Sequence, residues 1–278
     1  MKQAFITLLA LATAAAALPS HAARLHQRAF RNGTGDDVSA WDNIDWAHGT
    51  CGGNTGYVCQ SGYCCSQYGY CGTGAEYCGG GGATCTSPRL YQGDGSTGAG
   101  WPAAEAWASF DNLWNANAGT IAISCNQFGQ ANNSPTETAQ MKNAILSIAA
   151  SSGVDARFIL VTVMQESKGC VRVWTSYGAH PNPGLMQDHN GQYTCYGTNP
   201  CPESYIQGMI REGTTGTSSG DGLLQILNKL STSGARKTYQ AARVYNSGSL
   251  PGDGNLSNGG ATNSYPSDIA NRLLGCVF

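Results

Sequence analysis

From residue 101 onward the hydrophobic positions recur at the spacing of α-helices, and no stretch shows the alternation of a strand. Residues 135–150 carry their apolar side chains on one helical face, and Ser134 can cap the first turn. Residues 156–167 are apolar nearly all round and follow Asp155, a second potential cap, which predicts a central, buried helix. Further amphipathic segments lie at 203–212, 221–232 (with Asp221 as a cap), 236–247 and 266–275.

Two loops rich in Gly and Asn interrupt this pattern, at residues 176–200 and 246–264. We therefore predict that residues 101–278 form one mainly α domain. Residues 86–100 consist largely of Thr, Ser, Pro, Gly and Asp with little apolar content, which predicts a short flexible linker in front of that domain.

The N-terminal residues predict secretion. Lys2 precedes an apolar run within residues 1–22, and small residues at its end favour cleavage after Ala22, with a cut near Ala17 as the alternative. The run is too short to span a membrane comfortably, so a removed signal peptide is favoured over a membrane anchor. Residues 23–50 have no periodicity and are interpreted as a leader or propeptide. We expect a secreted, extracellular protein that does not act on a membrane.

The composition argues against strongly charged partners. Charged residues make up 12% of the 278 residues, and the formal net charge is -2. No run of Lys and Arg exceeds the pair Arg236–Lys237, so electrostatic nucleic-acid binding is excluded as a main role. The 12 cysteines are a high and even number, which indicates disulfides and an oxidising compartment.

Seven of these cysteines fall within residues 51–85, a stretch that is rich in Gly and Tyr and nearly free of aliphatic side chains. Such a stretch cannot build an ordinary core, so disulfides must hold it together. The oxidising compartment and the adjacent Cys64 and Cys65 argue against zinc, and no metal is expected. The stretch resembles the hevein-type chitin-binding domain in its spacing Cys51-x7-Cys59-x4-Cys64-Cys65-x5-Cys71-x6-Cys78 and in the run from Gly62 to Gly72.

The resemblance implies a surface that binds chitin. Exposed tyrosines can stack on the apolar face of N-acetylglucosamine rings, and a serine can bond to an acetamido group. The alternative is that the tyrosines pack against disulfides, which a module this small makes less favourable. The implied binding residues are Ser66, Tyr68, Tyr70 and Tyr77, and the implied disulfides are Cys51–Cys65, Cys59–Cys71 and Cys64–Cys78.

Glu166 stands out among the few carboxylates of the second domain because it ends the most apolar helix. An apolar surround and the negative end of a helix dipole both disfavour ionisation, so we expect a raised pKa. A carboxyl group that keeps its proton near neutral pH can give it to a leaving oxygen. The alternative is a solvated glutamate at a helix end.

Three motifs around this glutamate resemble the lysozyme-like superfamily, and most closely the soluble lytic transglycosylases and goose-type lysozymes. They are Gln165-Glu166-Ser167, Gly184-Leu185-Met186-Gln187 and Val244-Tyr245-Asn246-Ser247-Gly248. Val244 and Ser247 depart mildly from the family pattern, which has Ala at both positions. The resemblance implies a helical fold around a cleft for β-1,4-linked N-acetyl sugars.

The resemblance also implies roles for individual residues. Glu166 would be the general acid, while Gln187 and the backbone near Met186 would line the cleft. Tyr245 would form a hydrogen bond near Glu166, and Asn246 would touch the substrate or brace a loop. Plain packing is the alternative for Met186 and Tyr245.

A hydrolase also needs an activated water or a nucleophile. Goose-type lysozymes use Asp residues around the Gly-Leu-Met-Gln turn, whereas lytic transglycosylases lack a second carboxylate. Here Asp188 directly follows Gln187, one position earlier than in the goose-type pattern, and is the candidate base. His189 could orient it. The alternative is that Asp188 is a turn residue bonded to its own backbone.

The remaining cysteines belong to disulfides, because the domain offers too few histidines for a catalytic thiol or a metal site. Cys195 and Cys201 are predicted to close a small loop. The other four, Cys85, Cys125, Cys170 and Cys276, can pair in three ways, and Cys85 lacks the partner that its module usually provides.

These observations predict a monomeric glycosidase without a cofactor, whose partner is a polysaccharide: peptidoglycan, chitin or N-acetylglucosamine oligomers. A muramidase that cleaves the β-1,4 bonds of bacterial peptidoglycan is favoured. The alternatives are a chitinase on the same fold, a lytic transglycosylase and a non-catalytic chitin-binding defence protein.

Overall fold

The computed structural model describes residues 64–65, 71–72, 85, 88–178 and 180–278. The predicted signal peptide and leader and the predicted binding residues Ser66, Tyr68, Tyr70 and Tyr77 lie outside the described residues. Each of the three predicted hevein-type disulfides has one cysteine outside them, namely Cys51, Cys59 or Cys78. The chain divides into two compact units, Met1–Cys78 and Gly79–Phe278.

In the first unit, strands β1 (Cys64–Cys65) and β2 (Cys71–Gly72) pair antiparallel. Cys64 lies opposite Gly72, and Cys65 lies opposite Cys71.

Among the described residues, no helix combines the length and apolar character needed to cross a lipid bilayer.

The second unit is mainly helical, as its hydrophobic pattern predicts, and contains one short antiparallel hairpin. Its helices are α1 (Phe110–Ile123), α2 (Pro135–Ser152), α3 (Ala156–Ser167), α4 (Glu203–Thr215), α5 (Leu223–Lys229), α6 (Gly234–Ser247) and α7 (Tyr265–Leu273); the hairpin strands are β3 (Ser176–Tyr177) and β4 (Pro181–Asn182); and short 3-10 helices cover Thr97–Ala99, Ala104–Ala106 and Ser124–Phe128.

Helix α3 lies at the centre of the unit and contacts α1, α2, α4 and α7. Every side chain from Phe158 to Met164 is buried, which agrees with the prediction of an apolar, central helix. Asp155 caps its first turn, because its carboxylate accepts a hydrogen bond from the Arg157 backbone at 2.8 Å. The buried helix therefore carries its C-terminal residues to a fixed place in the core.

Helix α2 begins with the predicted Ser134 cap. Ser134 and Glu137 form a capping box, in which each side chain bonds to the backbone N–H of the other. Asp221, in contrast, is not a cap, because α5 begins after Gly222. The Asp221 carboxylate forms an exposed ion pair with Lys229 instead.

Helix α1 was absent from the sequence-based expectations. Its sequence places Asn, Gly and Thr among the apolar residues, which obscures the helical period. Ser109 nevertheless caps the first turn, and Leu113 and Ile121 are fully buried.

Residues 88–100, for which the composition predicts a flexible linker, pack onto the helical unit. The Tyr91 backbone donates to Ser267 Oγ at 2.9 Å, and the Gly93 backbone donates to Asn255 Oδ1 at 2.8 Å. The buried Tyr91 ring lies 5.2 Å from that of Trp101. Long-range hydrogen bonds and one aromatic anchor thus order a segment whose own composition carries little apolar signal.

Three disulfides stabilise this unit. Cys195–Cys201 closes the predicted small loop. Of the pairings that the sequence left open, the structure has Cys85–Cys276 and Cys125–Cys170. Cys85 therefore pairs within the second unit, which also accounts for the missing partner in its own module.

Candidate active site

Glu166 is the next-to-last residue of α3 and is half-buried. The hydroxyl group of Tyr265, at the start of α7, donates a hydrogen bond to its carboxylate. Burial raises the pKa of Glu166 to about 7, although the tyrosine hydrogen bond acts in the opposite direction by stabilising the charged form. At neutral pH this carboxyl group is protonated in a large fraction of molecules, as a general acid requires.

The two other motifs lie beside this glutamate. Ser167 Oγ donates to the Leu185 carbonyl at 2.8 Å, which joins the end of α3 to the Gly184–Gln187 turn. Tyr245 of α6 donates its hydroxyl to the Met186 carbonyl at 2.8 Å, so Tyr245 holds the turn instead of bonding to Glu166. Burial, followed by the charges of Glu166 and Asp188, raises the pKa of Tyr245 well above its ordinary value.

Gln187 holds the hairpin against the turn. Its side-chain amide donates to the Trp174 carbonyl and to the Gly184 carbonyl, both at 3.0 Å, and accepts from the Ser176 backbone at 3.2 Å. The Met186 side chain, in contrast, is fully buried against α4, so only its backbone takes part in the site.

A cleft of about 750 Å³ opens between the two loops that the sequence marks as rich in Gly and Asn. Gln187 and Tyr245 line it together with Asn246. The rings of His180 and His189 also line it, with centroids 4.2 Å apart. The lining is mostly polar and uncharged, which suits the hydroxyl and acetamido groups of a sugar chain.

Asn246 braces the second loop as well as lining the cleft. Its Oδ1 accepts from the Thr262 backbone at 3.0 Å and from the guanidinium group of Arg243. Arg243 is fully buried and donates to the carbonyls of Leu256 at 3.3 Å and Thr262 at 3.0 Å. Arg243 therefore organises this cleft wall, and no sequence motif identified it beforehand.

Neither Glu166 nor Asp188 is among the residues that line the cleft. Glu166 lies close to Tyr245, which does line it, whereas Asp188 is buried, with 4% of its surface exposed. Burial and the negative charge of Glu212 raise its pKa to about 8. His189 does not bond to it, because the imidazole ring packs against His180 and Gly220 instead. The structure thus brings Asp188 near Tyr245 but surrounds it differently from an exposed, ionised base, and its role as a base stays a prediction.

Tyr265 and Glu212 were both missed by sequence reasoning. Tyr265 belongs to α7 and follows Glu166 by 99 positions. Glu212 is one of several polar residues near the end of α4. Neither belongs to a recognisable motif, so only the fold reveals their contacts.

Comparison with known protein families identifies one part of the chain. Residues 50–89 match the family described as chitin recognition protein. The chain therefore contains a chitin-binding domain of the hevein type, which confirms the resemblance predicted for residues 51–85 and extends it slightly at both ends. No curated protein and no solved structure matches the chain.

Replacement of Tyr265 by Phe tests the electrostatics of Glu166. The tyrosine hydroxyl stabilises the carboxylate form, so its loss should raise the pKa of Glu166 further above about 7. We expect the pKa of Glu166, followed by NMR titration of its carboxyl carbon, to rise by about one unit in the variant. An unchanged pKa would show that the Tyr265 hydroxyl does not stabilise the carboxylate.

Proposed function

We propose that the protein is a secreted glycosidase of lysozyme-like fold that cleaves β-1,4 bonds of bacterial peptidoglycan, with Glu166 as the general acid. The observation that carries this proposal is the placement of Glu166. It ends a buried helix, has a pKa raised to about 7, and lies beside Tyr245, which lines the cleft. A half-protonated carboxyl group next to a polar cleft can act as the general acid that the cleavage of a glycosidic bond requires.

In this mechanism the glycan lies in the cleft with its hydroxyl and acetamido groups against polar side chains. Glu166 donates its proton to the glycosidic oxygen as the bond to the anomeric carbon breaks, and positive charge develops on the sugar ring. The resulting carboxylate accepts the Tyr265 hydrogen bond, which stabilises the charge that Glu166 acquires. Tyr265 thus favours the product of the proton transfer. A water molecule then adds to the anomeric carbon and gives a proton to the Glu166 carboxylate, which leaves an ordinary reducing end and restores the acid.

The chitin-binding domain would raise the local concentration of the catalytic unit on an insoluble polymer. Peptidoglycan and chitin both contain N-acetylglucosamine, so one module can bind either polymer. Such tethering changes the effective concentration of substrate and leaves the bond-breaking step to the cleft.

A second candidate is a lytic transglycosylase, in which the sugar closes on its own 6-hydroxyl group. The burial of Asp188 favours it, because a protonated carboxyl group cannot activate a water molecule. A chitinase is the third candidate, and the chitin-binding domain favours it.

One experiment separates these candidates. The purified full-length protein is incubated with bacterial peptidoglycan and with colloidal chitin, and the soluble products are identified by mass spectrometry. We expect muropeptides with ordinary reducing ends. Muropeptides with 1,6-anhydro ends would identify a transglycosylase, chito-oligosaccharides alone would identify a chitinase, and the absence of product from both polymers would refute the enzymatic proposal.

Replacement of Tyr68 by Ala tests the binding module separately. Loss of one stacking ring should weaken retention of the protein on chitin beads about tenfold or more, because each stacked ring contributes on the order of 1–2 kcal/mol. Tyr177→Ala is the matched control, since Tyr177 is 81% exposed but belongs to the other unit. Equal retention of both variants would contradict the assignment of Tyr68 to the chitin surface.

A further inference from the structure

Asp188 and Glu212 bring their carboxyl groups together against the backbone of Gly191. A Cβ atom at Gly191 would lie 1.9 Å from Asp188 Oδ2 and 2.9 Å from Glu212 Oε2. Glu212 Oε2 accepts hydrogen bonds from the backbones of Gln192 at 2.9 Å and Tyr193 at 3.4 Å. No described residue donates a hydrogen bond to either oxygen of Asp188.

This arrangement cannot hold two negative charges at low cost. An ionised Asp188 would be buried, next to a second carboxylate and without a donor, and each of these conditions disfavours the charge. Glu212, in contrast, is half-buried, and two backbone N–H groups stabilise its charge. A single proton on Asp188 resolves the conflict, because its O–H can then donate to Glu212.

We infer that Asp188 and Glu212 share one proton at neutral pH, with Asp188 as the donor, and that this pair positions the cleft segment of residues 187–193. Gln187 and His189 flank Asp188 and line the cleft, so a fixed Asp188 fixes both of them. Glu212 anchors the same segment to α4 through its two backbone hydrogen bonds.

The surroundings of Asp188 support this assignment. Burial comes first and the Glu212 charge second among the causes that raise the pKa of Asp188 to about 8. Among the described residues, the other titratable group that faces it is the phenol of Tyr245 from α6, which is neutral at this pH because its pKa lies above the ordinary value of 10.0. No described cation faces the pair to favour two negative charges.

What this carboxyl pair does in the reaction rests on the proposed function. A protonated Asp188 does not act as a base, so Glu166 would be the one carboxyl group that exchanges a proton with the substrate. Asp188 and Glu212 are then positioning residues. Their amide analogues should preserve the site, because an amide can reproduce the shared hydrogen bond.

The test combines thermal unfolding between pH 4 and pH 9 with peptidoglycan-solubilising activity, in the full chain. A carboxyl group whose pKa is raised in the folded state contributes stability that is fully present below its unfolded value of 3.8 and is lost as the pH rises through about 8. Asp188→Asn has no proton to lose, so its melting temperature should fall less than that of the wild type across this window. Asp253→Asn is the control, because Asp253 is exposed and its pKa is lowered, which places its titration below the window.

We also expect Asp188→Asn to keep activity within about tenfold of the wild type at pH 7, whereas loss of a general base costs about 10²–10⁴-fold. Asp188→Ala, which lacks the hydrogen bond, should lose more activity than Asp188→Asn. Parallel melting curves for Asp188→Asn and the wild type across the window would overturn the shared proton. A thousandfold loss of activity in a stable Asp188→Asn variant would overturn the positioning role. If the melting curves diverge as expected while the wild type cleaves neither polymer, the carboxyl pair stands and the proposed function fails.

Discussion

Glu166→Gln is expected to lower kcat/KM on peptidoglycan by about 10²–10⁴-fold, the contribution of a positioned general acid. Glutamine has nearly the same shape as glutamate, and its carbonyl oxygen can still accept the Tyr265 hydrogen bond. It has no acidic proton to give to the glycosidic oxygen. The variant should therefore keep its fold, its melting temperature within a few degrees, and its retention on chitin, because the binding module is untouched.

A matched control shows whether the loss of activity is specific to Glu166. Glu105→Gln removes an exposed glutamate at a distance in the chain from every site motif and should leave activity unchanged. The measurement is the initial rate of release of soluble muropeptides at several pH values. Activity of Glu166→Gln within tenfold of the wild type, in a protein with an unchanged melting curve, would exclude Glu166 as the acid.

The helices whose apolar residues recur without interruption could be predicted from the sequence. Helix α3 has the predicted bounds and burial, since a run from Phe158 to Met164 in which Thr162 is the one polar residue is typical of a central helix. Helix α1 escaped because its Asn and Gly residues hide the helical period, and its burial depends on the neighbours that it meets. The order of residues 88–100 could not be predicted either, because it comes from hydrogen bonds to Ser267 and Asn255, which lie far along the chain.

The residues of the candidate site also fall into two groups: those that a sequence motif identifies and those that only the fold identifies. Glu166, Gln187 and Asn246 belong to short motifs, and the fold brings those motifs together around one cleft. Their hydrogen-bond partners carry no local signal. Tyr265 meets Glu166 only because α7 packs on α3, and Glu212 meets Asp188 only because the loop after the turn crosses α4. Sequence reasoning could single out Glu166 and Asp188 but could not foresee that Tyr265 and Glu212 would be their partners.

The buried ion pair between Glu137 and Arg172 leads to the prediction with the largest effect on stability. Both side chains are almost fully buried, at 3% and 1% exposure. Glu137 accepts from the backbones of Ser134 and Cys201, each at 2.7 Å, so the pair joins α2, the segment after α3 and the Cys195–Cys201 loop. Glu137→Gln should lower the free energy of unfolding by about 3–5 kcal/mol, because it leaves the Arg172 charge buried without a counterion. The NH2 group of the new glutamine would also face one of the two backbone N–H groups, of Ser134 and Cys201, that now donate to the Glu137 carboxylate.

For a domain of this size that loss corresponds to a fall in melting temperature of about 10 °C, which calorimetry at pH 7 would detect. Glu203→Gln is the matched control, because Glu203 is exposed at the start of α4 and should change the melting temperature by a few degrees at most.

The pH dependence gives a second check on the Glu137 prediction. Burial would raise the pKa of Glu137, but the backbone hydrogen bonds and the charge of Arg172 together hold it below its ordinary value of 4.5. A lowered pKa means that the stabilisation is present above 4.5 and is lost as the pH falls through the folded-state value. The wild type and Glu137→Gln should therefore differ most near neutral pH and converge in acid. If the difference in the free energy of unfolding were the same at every pH, the loss of stability would come from packing. A difference below about 1 kcal/mol at pH 7 would contradict the stabilising role of the ion pair.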